Sequence, residues 1–500
     1  MLTIIFGISM IVLDSTVVNV AFPTLRREFG VGLDEGQWII SIYVLALGIA
    51  TPLAGILADR FKLKRVYILG LCVFILGSLV SGLAPNFWLL VGARALQGIG
   101  GGIALPLSTV MLFTTFEDKE QGRAFGIYGV VMVAAPAIGP IVGGLLADTN
   151  LWRWIFFINI PIGLIGISLA VRILRATEPK RSIKFNPISF ITIIIGYGCV
   201  LYAASIVNHY GWLSAPVLSF LAVAGVALLI FAVYDLKFAR DPLLELSLYK
   251  NPTFLKANLV GYVAVIALFG AEFLMPLYLQ SLRGRTAMQT AFILLPIAAT
   301  TGLINLIVGG IYDKIGPRLL VVTGTGILLI NTWQFTRLSS ATPIRQIIFL
   351  LVLRGLAISL IMQPTYTTAV GILPKENVPR GSSLVNSTRF VVQALGVAVL
   401  ATILGSTLSP QVKQLQQNQQ TVGLCEQQQP GLQLTRACEE NLSGFARAYK
   451  FTFYAALVAL VLGALLPGYP FEWAGRGVMK AWVTASRSYL SRRFGARRRA

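Results

Sequence analysis

Residues Gly55–Arg65 read GILADRFKLKR, and residues Gly309–Arg318 read GGIYDKIGPR. Each segment follows an apolar run and has a glycine, an aspartate four positions later and then a basic residue. The two segments begin 254 residues apart in a chain of 500 residues. Weak internal similarity at so long an interval indicates two structurally related halves.

The sequence around these segments is apolar along most of its length. Hydrophobic residues make up 56% of the chain and charged residues 12%, whereas a water-soluble domain has about 25% charged residues. The composition therefore predicts an all-α polytopic membrane protein. Runs of about 20 apolar residues, the length that crosses a bilayer, predict fourteen transmembrane helices. Their centres lie near Leu13, Gly48, Phe74, Gly100, Ala134, Leu164, Gly198, Gly225, Leu268, Thr300, Ile327, Ala357, Gly396 and Ala459.

The repeat divides these spans into two six-helix bundles with two extra helices between them. Arg94 in span 4 and Arg354 in span 12 lie at similar depths and extend the repeat. The expected divisions are residues 1–175 for the N-terminal bundle, 176–252 for two inserted helices with cytoplasmic linkers, 253–470 for the C-terminal bundle including an external loop at 409–450, and 471–500 for a basic cytoplasmic tail.

The formal net charge is +21, and its distribution predicts the topology. Most Lys and Arg residues fall in loops after even-numbered spans and in the tail that ends SRRFGARRRA. Positive residues are retained in the cytoplasm, so both termini are expected there. The tail is then an anchor near anionic lipid and not a nucleic-acid-binding segment. No basic segment precedes the first span, so no cleavable signal peptide is expected.

One predicted span has an unusual composition. Residues Gly126–Gly144 read GIYGVVMVAAPAIGPIVGG. Small residues let a second helix approach closely, and prolines remove backbone hydrogen bonds and favour a bend. We expect this span to form a seam that closes the outer side where the two bundles meet. The seam residues are Pro136, Gly139, Pro140, Gly143 and Gly144.

Three charged residues lie deep within predicted spans and are candidates for proton coupling. Asp14 is about 12 residues, or about 18 Å, into span 1. A carboxylate there costs at least about 2.5 kcal/mol and must be neutralised by a proton or a partner. Arg94 lies at a similar depth and, because arginine keeps its proton, would be a fixed countercharge. Glu272, paired with Arg354, is expected to be a second protonation or cation-recognition site. A purely structural role is the alternative for each.

A second set of charges is expected at the cytoplasmic ends of the helices. Asp59 and Arg60 end span 2, Arg123 precedes span 5, and Asp313 ends span 10. An aspartate there can hold a helix N-terminus or a nearby arginine. We expect these four residues to stabilise one of two conformational states, and simple positive-inside anchoring is the alternative.

Aromatic side chains in the spans are candidates for a cavity that binds flat or cationic ligands. The alternative is packing, or a place in the interfacial belt. The residues assigned to this cavity are Trp38, Tyr43, Gln97, Phe269, Tyr278, Arg354 and Tyr366. Arg389 in span 13 either contacts an anionic group of a substrate or extends towards the cytoplasm.

The cysteines and glycine-rich segments give no sign of enzyme chemistry. Cys425 and Cys438 lie in the external loop, where a disulfide is possible, and the sequence leaves its formation open. The glycine run at Gly98–Gly102 lacks the strand–turn–helix context of a dinucleotide site. The sequence has no phosphate-binding loop and no His/Cys metal pattern. We expect no enzyme activity, no metal and no cofactor.

Several segments carry a family resemblance and occur in the expected order. They are LDSTVVNVAFPTL (Leu13–Leu25), WIISIYVLALGIATPLAGILADR (Trp38–Arg60), LVGARALQGIGGG (Leu90–Gly102), APAIGPIVGG (Ala135–Gly144) and WRWIFFINIPIG (Trp152–Gly163). Together they resemble the fourteen-helix drug:proton antiporters of the major facilitator superfamily, the EmrB/QacA type. Lys62 and Ala135 stand where that family usually has glycine, so we expect a looser turn at Lys62 and a less smooth seam at Ala135.

The resemblance implies a major facilitator fold and proton-coupled export of amphipathic or cationic small molecules by alternating access. It also implies a role in proton transfer for Arg94, a location in the inner membrane of a prokaryote, and the proton gradient as the energy source. Two alternatives stay open. One is export of an endogenous lipid, siderophore or metabolite on the same scaffold. The other is an inner-membrane component that works with a periplasmic adaptor protein through the loop at 409–450.

Overall fold

The computed structural model describes residues 2–115, 131, 134–135, 137–174, 186–239, 242–373, 377–407, 425 and 432–468. These residues form helices joined by short connections, and no strand occurs among them. The α-helices are α1 (Leu2–Glu28), α2 (Leu33–Gly36), α3 (Trp38–Phe61), α4 (Leu63–Leu83), α5 (Phe87–Thr115), α6 (Ala137–Asp148), α7 (Trp154–Phe157), α8 (Asn159–Ile173), α9 (Pro187–Tyr210), α10 (Ala215–Lys237), α11 (Pro252–Leu277), α12 (Ala287–Phe335), α13 (Ile344–Gly371), α14 (Val378–Ser406) and α15 (Leu432–Ala464).

Thirteen stretches of the described helices are long and apolar enough to cross a membrane. Two of them, Ala287–Gly309 and Lys314–Phe335, belong to α12, which has a kink at Gly316 near the start of the second stretch. The fifth of the fourteen predicted spans lies mostly outside the described residues, and α6 is its described end. The prediction of an all-helical protein with many spans is confirmed.

The last helix is longer than the hydropathy pattern predicts. Helix α15 begins at Leu432, inside the range 409–450 that is predicted to be an external loop. Its first turns carry polar and charged residues (LQLTRACEENL), so hydropathy alone does not separate them from a loop. The segment between α14 and α15 is therefore shorter than the predicted loop.

The two repeated segments form matching turns. Helix α3 ends at Phe61 and α4 begins at Leu63, and Lys62 between them has φ +76°. Gly316, 254 positions later, has φ +75°. Glycine adopts this conformation freely, whereas a side chain is strained in it. Lys62 shares the positive φ of its glycine counterpart, while its ψ of 130° differs from the 177° of Gly316. The looser turn at Lys62 stays a prediction.

Basic residues of the repeat hold the last helix of each bundle. Lys64 Nζ donates hydrogen bonds to the carbonyl oxygens of Val171 (2.6 Å) and Leu174 (2.7 Å) at the end of α8. Arg318 Nε donates to the carbonyl oxygen of Leu466 at 2.6 Å, just after α15. The last carbonyl groups of a helix lack partners within the helix, and a cation stabilises them. The repeat therefore preserves a helix-end contact as well as a turn.

The two bundles meet where α6 ends and α12 begins, and we call this region the sealed end. The rings of Phe22 in α1 and Phe273 in α11 lie 5.5 Å apart. Gln280 Nε2, just after α11, donates to the carbonyl oxygen of Val20 at 2.9 Å. Residues of both halves share one buried apolar cluster here. The topology predicted from the charge distribution would place the sealed end at the external side of the membrane.

A carboxylate of one bundle caps a helix of the other at the sealed end. Asp148 Oδ1 accepts a hydrogen bond from Ala287 N and Oδ2 accepts one from Met288 N, each at 2.8 Å. These N–H groups begin α12 and have no partner within the helix. A carboxylate at a helix N-terminus is also favoured by the helix dipole. Asp148 thus fixes α6 to the C-terminal bundle.

The glycine seam contacts both bundles, but most of its glycines face the N-terminal bundle, to which the seam itself belongs. A Cβ atom on Gly144 would lie 2.7 Å from Met288 Cα, so α6 and α12 touch there. Gly139 instead faces Thr16 of α1, and a Cβ on Gly143 would lie 2.6 Å from the carbonyl oxygen of Val17. This corrects the prediction that the whole seam lies between the bundles, because the Gly139–Gly143 stripe packs against α1 within the N-terminal bundle. Pro140 is buried, and Pro136 lies outside the described residues.

A second contact between the halves lies near the middle of the helices. Ser387 Oγ in α14 donates to the carbonyl oxygen of Gly48 in α3 at 2.6 Å. A Cβ atom on Gly48 would lie 3.0 Å from Phe390 Cβ, so only a small residue fits without movement of its neighbours. The bundles are thus joined at the sealed end and again at mid-length.

The two inserted helices pack against each other, and α9 also packs against α14. Thr402 Oγ1 in α14 donates to the carbonyl oxygen of Ala204 in α9 at 2.8 Å. The buried Asp235 at the end of α10 accepts hydrogen bonds from Ser189 Oγ (2.5 Å) and Leu244 N (3.0 Å). Asp235 therefore ties α9, α10 and the following linker together.

Candidate functional site

Asp14 lies at the centre of a buried polar network in the N-terminal bundle. Its side chain is fully buried and pairs with Arg94, with 2.5 Å between Oδ2 and Nη1. Oδ1 accepts hydrogen bonds from Asn159 Nδ2 (2.8 Å) and Gln97 Nε2 (3.1 Å). Helices α1, α5 and α8 therefore converge on one carboxylate.

Two serines of α4 complete this network. Ser78 Oγ accepts hydrogen bonds from Gln97 Nε2 (2.5 Å) and Asn159 Nδ2 (3.1 Å). Ser81 Oγ donates to Gln97 Oε1 at 3.3 Å, and Arg94 Nη1 donates to the same oxygen at 3.0 Å. The amides bridge the charged pair to α4, so the pair is held from four helices.

Arg94 is fixed on its other faces as well. Its Nε donates to the carbonyl oxygen of Ile39 in α3 at 3.1 Å. The guanidinium carbon lies 4.1 Å from the centroid of the Tyr43 ring and 6.0 Å from that of Phe156. Tyr43 itself donates to the carbonyl oxygen of Ile11 at 3.2 Å. The arginine is thus fully buried, with hydrogen bonds, an ion pair and aromatic faces around it.

This geometry couples the charge of Asp14 to helix packing. In the ionised form the carboxylate satisfies Arg94 and two amide donors at once. A proton on Asp14 would remove the charge opposite a buried guanidinium, and an uncompensated buried charge is strongly unfavourable. The charge of Asp14 therefore contributes to holding α1, α5 and α8 together.

Three residues of the network, Asn159, Ser78 and Ser81, were not among the sequence candidates. Asn159 lies in the segment WRWIFFINIPIG and is the polar residue in its apolar second half. A fully buried asparagine in an apolar span needs a polar partner, which was the available signal. Ser78 carried no such signal, because serine is common in spans and bonds readily to its own helix.

Arg354 in the C-terminal bundle has a different set of partners. Its Nη2 donates to the carbonyl oxygens of Ala267 and Leu268 in α11, the latter at 2.7 Å. Its Nη1 donates to Asn331 Oδ1 at 3.0 Å. Asn331 in turn donates to the carbonyl oxygen of Leu350 at 2.6 Å. Carbonyl oxygens with a spare lone pair take the place of a carboxylate here.

Glu272 and Arg354, the predicted partners, interact electrostatically in the structure but form no direct ion pair. Within the described part of the chain, the Glu272 carboxylate makes no hydrogen bond and no ion pair. The acid is on α11, one turn beyond Ala267 and Leu268, whose carbonyls already occupy the guanidinium. Glu272 is also partly exposed, whereas Asp14 is not.

The predicted cavity residues do not form one surface. Tyr278 is fully buried at the sealed end, where its ring lies 5.8 Å from Phe445 and its hydroxyl donates to the carbonyl oxygen of Ser339 at 2.7 Å. Trp38 is partly buried 6.4 Å from the ring of Tyr202 in α9. Tyr366 is partly buried, and its hydroxyl is hydrogen-bonded to Ser382 Oγ.

These positions correct the prediction for several members of the set. Tyr43, Gln97, Tyr278 and Arg354 are enclosed by protein because their polar atoms bond inside the bundles. The side chain of Phe269 lies outside what the structure describes. Tyr366 keeps both an aromatic face and partial exposure.

Little of the predicted gating cluster can be placed. Arg123 and the side chains of Asp59 and Asp313 lie outside the described part. Arg60 is exposed, with its guanidinium carbon 5.2 Å from the centroid of the Phe61 ring. The gating role of these four residues stays a prediction.

The two external cysteines form a disulfide. Cys425 and Cys438 have Cα atoms 5.4 Å apart, and the bridge joins the connection after α14 to the first turns of α15. Cys425 N donates to the carbonyl oxygen of Leu282, just after α11, at 3.1 Å. The bridge therefore also brings this segment to the end of α11.

Two related helical bundles, many membrane spans and a buried charged network between helices define a multi-pass membrane transporter. Comparison with known proteins identifies the family within this class. The chain belongs to the Major Facilitator Superfamily, whose sequence profile matches residues 4–397. The predicted major facilitator fold is thereby confirmed.

Curated relatives come from bacteria. The chain is 32% identical over 403 residues to the uncharacterised MFS-type transporter YhcA of Bacillus subtilis (strain 168), covering 81% of this chain and 76% of that protein. It is 30% identical over 393 residues to the lincomycin resistance protein LmrB of Listeria innocua serovar 6a, covering 79% and 83%. It is 30% identical over 404 residues to the multidrug resistance protein Stp of Mycobacterium tuberculosis (strain CDC 1551 / Oshkosh), covering 81% and 75%.

Solved structures share the fold at low sequence identity. A crystal structure of a D-xylose-proton symporter has a TM-score of 0.62 and 12% identity, covering 95% of this chain and 98% of that one. An inward-facing, occupied bacterial homologue of the human lysosomal transporter Spinster has a TM-score of 0.61 and 17% identity, covering 93% and 95%. At this identity the likeness concerns the fold alone.

Proposed function

We propose that this transporter is a proton-coupled exporter of amphipathic or cationic small molecules, of the fourteen-helix EmrB/QacA type, in the inner membrane of a bacterium. The proposal rests chiefly on Asp14, a fully buried carboxylate whose one charged partner in the described part of the chain is Arg94. Relatives named for lincomycin and multidrug resistance, at about 30% identity, support the substrate class.

The proposed cycle uses Asp14 as the proton carrier and Arg94 as a fixed charge. With Asp14 ionised, the pair holds α1, α5 and α8 together while the sealed end is closed. A proton that arrives on Asp14 frees Arg94 and loosens this packing, so the other state becomes accessible. Coupling requires that the two states bind the proton with different affinity. The energy then comes from the proton gradient and needs no cofactor.

The test is substrate-driven proton flux in proteoliposomes, with ethidium as the probe. Asp14→Asn keeps the shape of the side chain but cannot carry a proton, so ethidium-driven proton flux is expected to disappear. Glu28→Gln, an exposed acid at the end of the same helix, is the matched control and should keep the flux. Unchanged flux in Asp14→Asn would refute the assignment of Asp14.

A periplasmic adaptor protein remains a proposed partner. Its expected docking segment, 409–450, is described at Cys425 and from Leu432 onward. Deletion of residues 409–424 followed by an export assay in whole cells and in proteoliposomes tests this partner. A loss in cells alone supports an adaptor, and full export in both contradicts it.

A further inference from the structure

The third arginine within the spans, Arg389 on α14, has few partners. Its Nη2 donates to Thr365 Oγ1 in α13 at 2.9 Å, while its buried Nε has no hydrogen-bond partner. A guanidinium carries five N–H donors. In the described part of the chain, no Asp or Glu forms an ion pair with it. Arg389 is therefore a cation within the membrane whose binding capacity is largely unused.

Arg389 does not extend to the membrane surface. It is about 11 residues, or about 16 Å, from the start of α14. Its guanidinium lies against α11, since a Cβ atom on Gly261 would be 2.7 Å from Nη2. The same group lies 5.7 Å from the centroid of the Tyr366 ring. Contacts with α11 and α13 hold the charge inside the C-terminal bundle, which excludes the snorkelling alternative.

The surroundings of Arg389 are polar and rich in hydroxyl groups. Tyr366 is hydrogen-bonded to Ser382 Oγ, and Asn386 Nδ2 donates to the same oxygen at 3.4 Å. Ser383 Oγ is buried without a hydrogen-bond partner. Arg389, Tyr366 and Ser382 are only partly buried. A partly accessible cation with neighbouring hydroxyl donors and no paired acid is the arrangement that recognises an oxyanion.

We propose that Arg389, Thr365 and Tyr366 form a subsite that binds the carboxylate of a transported amphiphile. This inference rests on the proposed export function and extends its substrate class to carboxylates. Arginine presents a planar pair of donors that matches a carboxylate, and Tyr366 offers an aromatic face to the adjoining apolar part. Anionic and zwitterionic amphiphiles then join the neutral and cationic ones as substrates.

The test compares two probes that differ only in charge, dansyl-labelled undecanoic acid and its methyl ester. Binding to the full-length protein in nanodiscs is followed by dansyl fluorescence. We expect the wild-type protein to bind the acid at least about 10-fold more tightly than the ester, because a charge-assisted bond is formed only with the acid. Arg389→Gln should reduce this preference to within about twofold, and Arg389→Lys should keep part of it.

Two further variants separate recognition from misfolding. Gly261→Ala keeps the arginine but displaces its guanidinium, and it should lower acid affinity several-fold without changing ester affinity. Arg337→Gln removes an exposed charge stacked on Trp333 and should leave both affinities unchanged. Unchanged ester binding in Arg389→Gln shows that this variant is folded.

The outcomes divide clearly. Equal binding of acid and ester by the wild-type protein, or an unchanged ratio in Arg389→Gln, overturns the subsite. Ethidium-driven proton flux is measured in parallel on Arg389→Gln. If the flux persists while the acid preference fails to appear, the subsite is wrong and the exporter proposal stands. If the wild-type protein shows no such flux, the exporter proposal fails independently of the acid–ester comparison.

Discussion

Arg94 and Arg354 occupy corresponding places in the two bundles, yet they bond to different chemical groups. Arg94 pairs with the carboxylate of Asp14 and with Gln97. Arg354 donates to backbone carbonyls of α11 and to Asn331. Both arginines are fully buried, so the difference lies in their acceptors.

The difference is that only one of the two arginines has a direct hydrogen-bond acceptor that can bind a proton. A carboxylate changes its charge when it binds a proton, whereas amide carbonyl groups do not titrate in the physiological range. The repeat has thus kept the buried cation in both halves and placed a titratable acceptor beside one of them. We expect the contacts of Arg94 in the N-terminal bundle to change when Asp14 binds a proton. The contacts of Arg354 in the C-terminal bundle should stay the same.

The largest expected effect comes from breaking the Asp14–Arg94 pair. Asp14→Ala leaves Arg94 buried without a countercharge, which should lower the free energy of unfolding by about 3–5 kcal/mol. Denaturant unfolding of the purified protein measures it. The double variant Asp14→Ala/Arg94→Met removes both charges and should recover much of the loss. Equal stability of the single variant and the wild-type protein would show that the Asp14–Arg94 pair does not stabilise the fold.

A smaller effect is expected in the C-terminal cluster. Asn331→Ala removes an acceptor from Arg354 and a donor from the Leu350 carbonyl, which should cost about 1–3 kcal/mol. Asn331→Asp restores an acceptor for Arg354 but not the donor to the Leu350 carbonyl, so it should recover only part of the stability lost in Asn331→Ala. The same unfolding measurement checks both variants. A loss as large as that of Asp14→Ala would remove the distinction between the two arginines.

Lys62 and Gly316 are a second pair of corresponding residues in the two bundles. They share a positive backbone φ and differ in side chain. Gly316→Ala places a side chain at φ +75° and should cost about 1–2 kcal/mol, whereas Lys62→Gly relieves strain and should add up to about 1 kcal/mol. Thermal unfolding of both variants, with Arg65→Gln at an exposed neighbouring residue as the control, measures the opposite signs. Destabilisation by Lys62→Gly would mean that the lysine side chain has contacts that outweigh the strain.

The smallest change in stability is expected for Glu272→Gln. The carboxylate has no hydrogen bond to lose within the described residues, so stability should change by less than about 1 kcal/mol. If Glu272 recognises cations, ethidium affinity should fall severalfold while proton exchange at Asp14 persists. Binding titration with ethidium, with Glu28→Gln as control, tests this role. A stability loss comparable to that of Asp14→Ala would make Glu272 a structural partner instead.

The sequence allowed the fold to be predicted in detail, because membrane spans follow directly from apolar length and the repeat from two short segments. It also identified Asp14 and Arg94, since charges in an apolar span are rare. It did not identify Asn159 as a partner of Asp14, or Ser78 as a partner of Asn159, because neutral polar residues carry no comparable signal. Depth suggested a pair between Glu272 and Arg354, whereas the direct acceptors of Arg354 include backbone carbonyls of α11, which sequence does not reveal.

The seam shows a second limit of sequence reasoning. Gly139 and Gly143 are four residues apart, which predicts that they share one face of the helix, and the structure agrees. Spacing does not say which helix that face meets, and it meets α1. Gly144, on the adjacent stripe, reaches α12 instead.

The contact between Gly48 and Ser387 divides α3 into two unequal arms. Gly48 is ten residues from Trp38 and thirteen from Phe61, so the arms measure about 15 Å and about 20 Å at 1.5 Å per residue. If α3 turned as a rigid rod about this point, its two tips would travel in opposite directions, and the longer arm would travel farther. The absence of a side chain at Gly48 lets α3 and α14 stay in contact at this point, where α3 would move least.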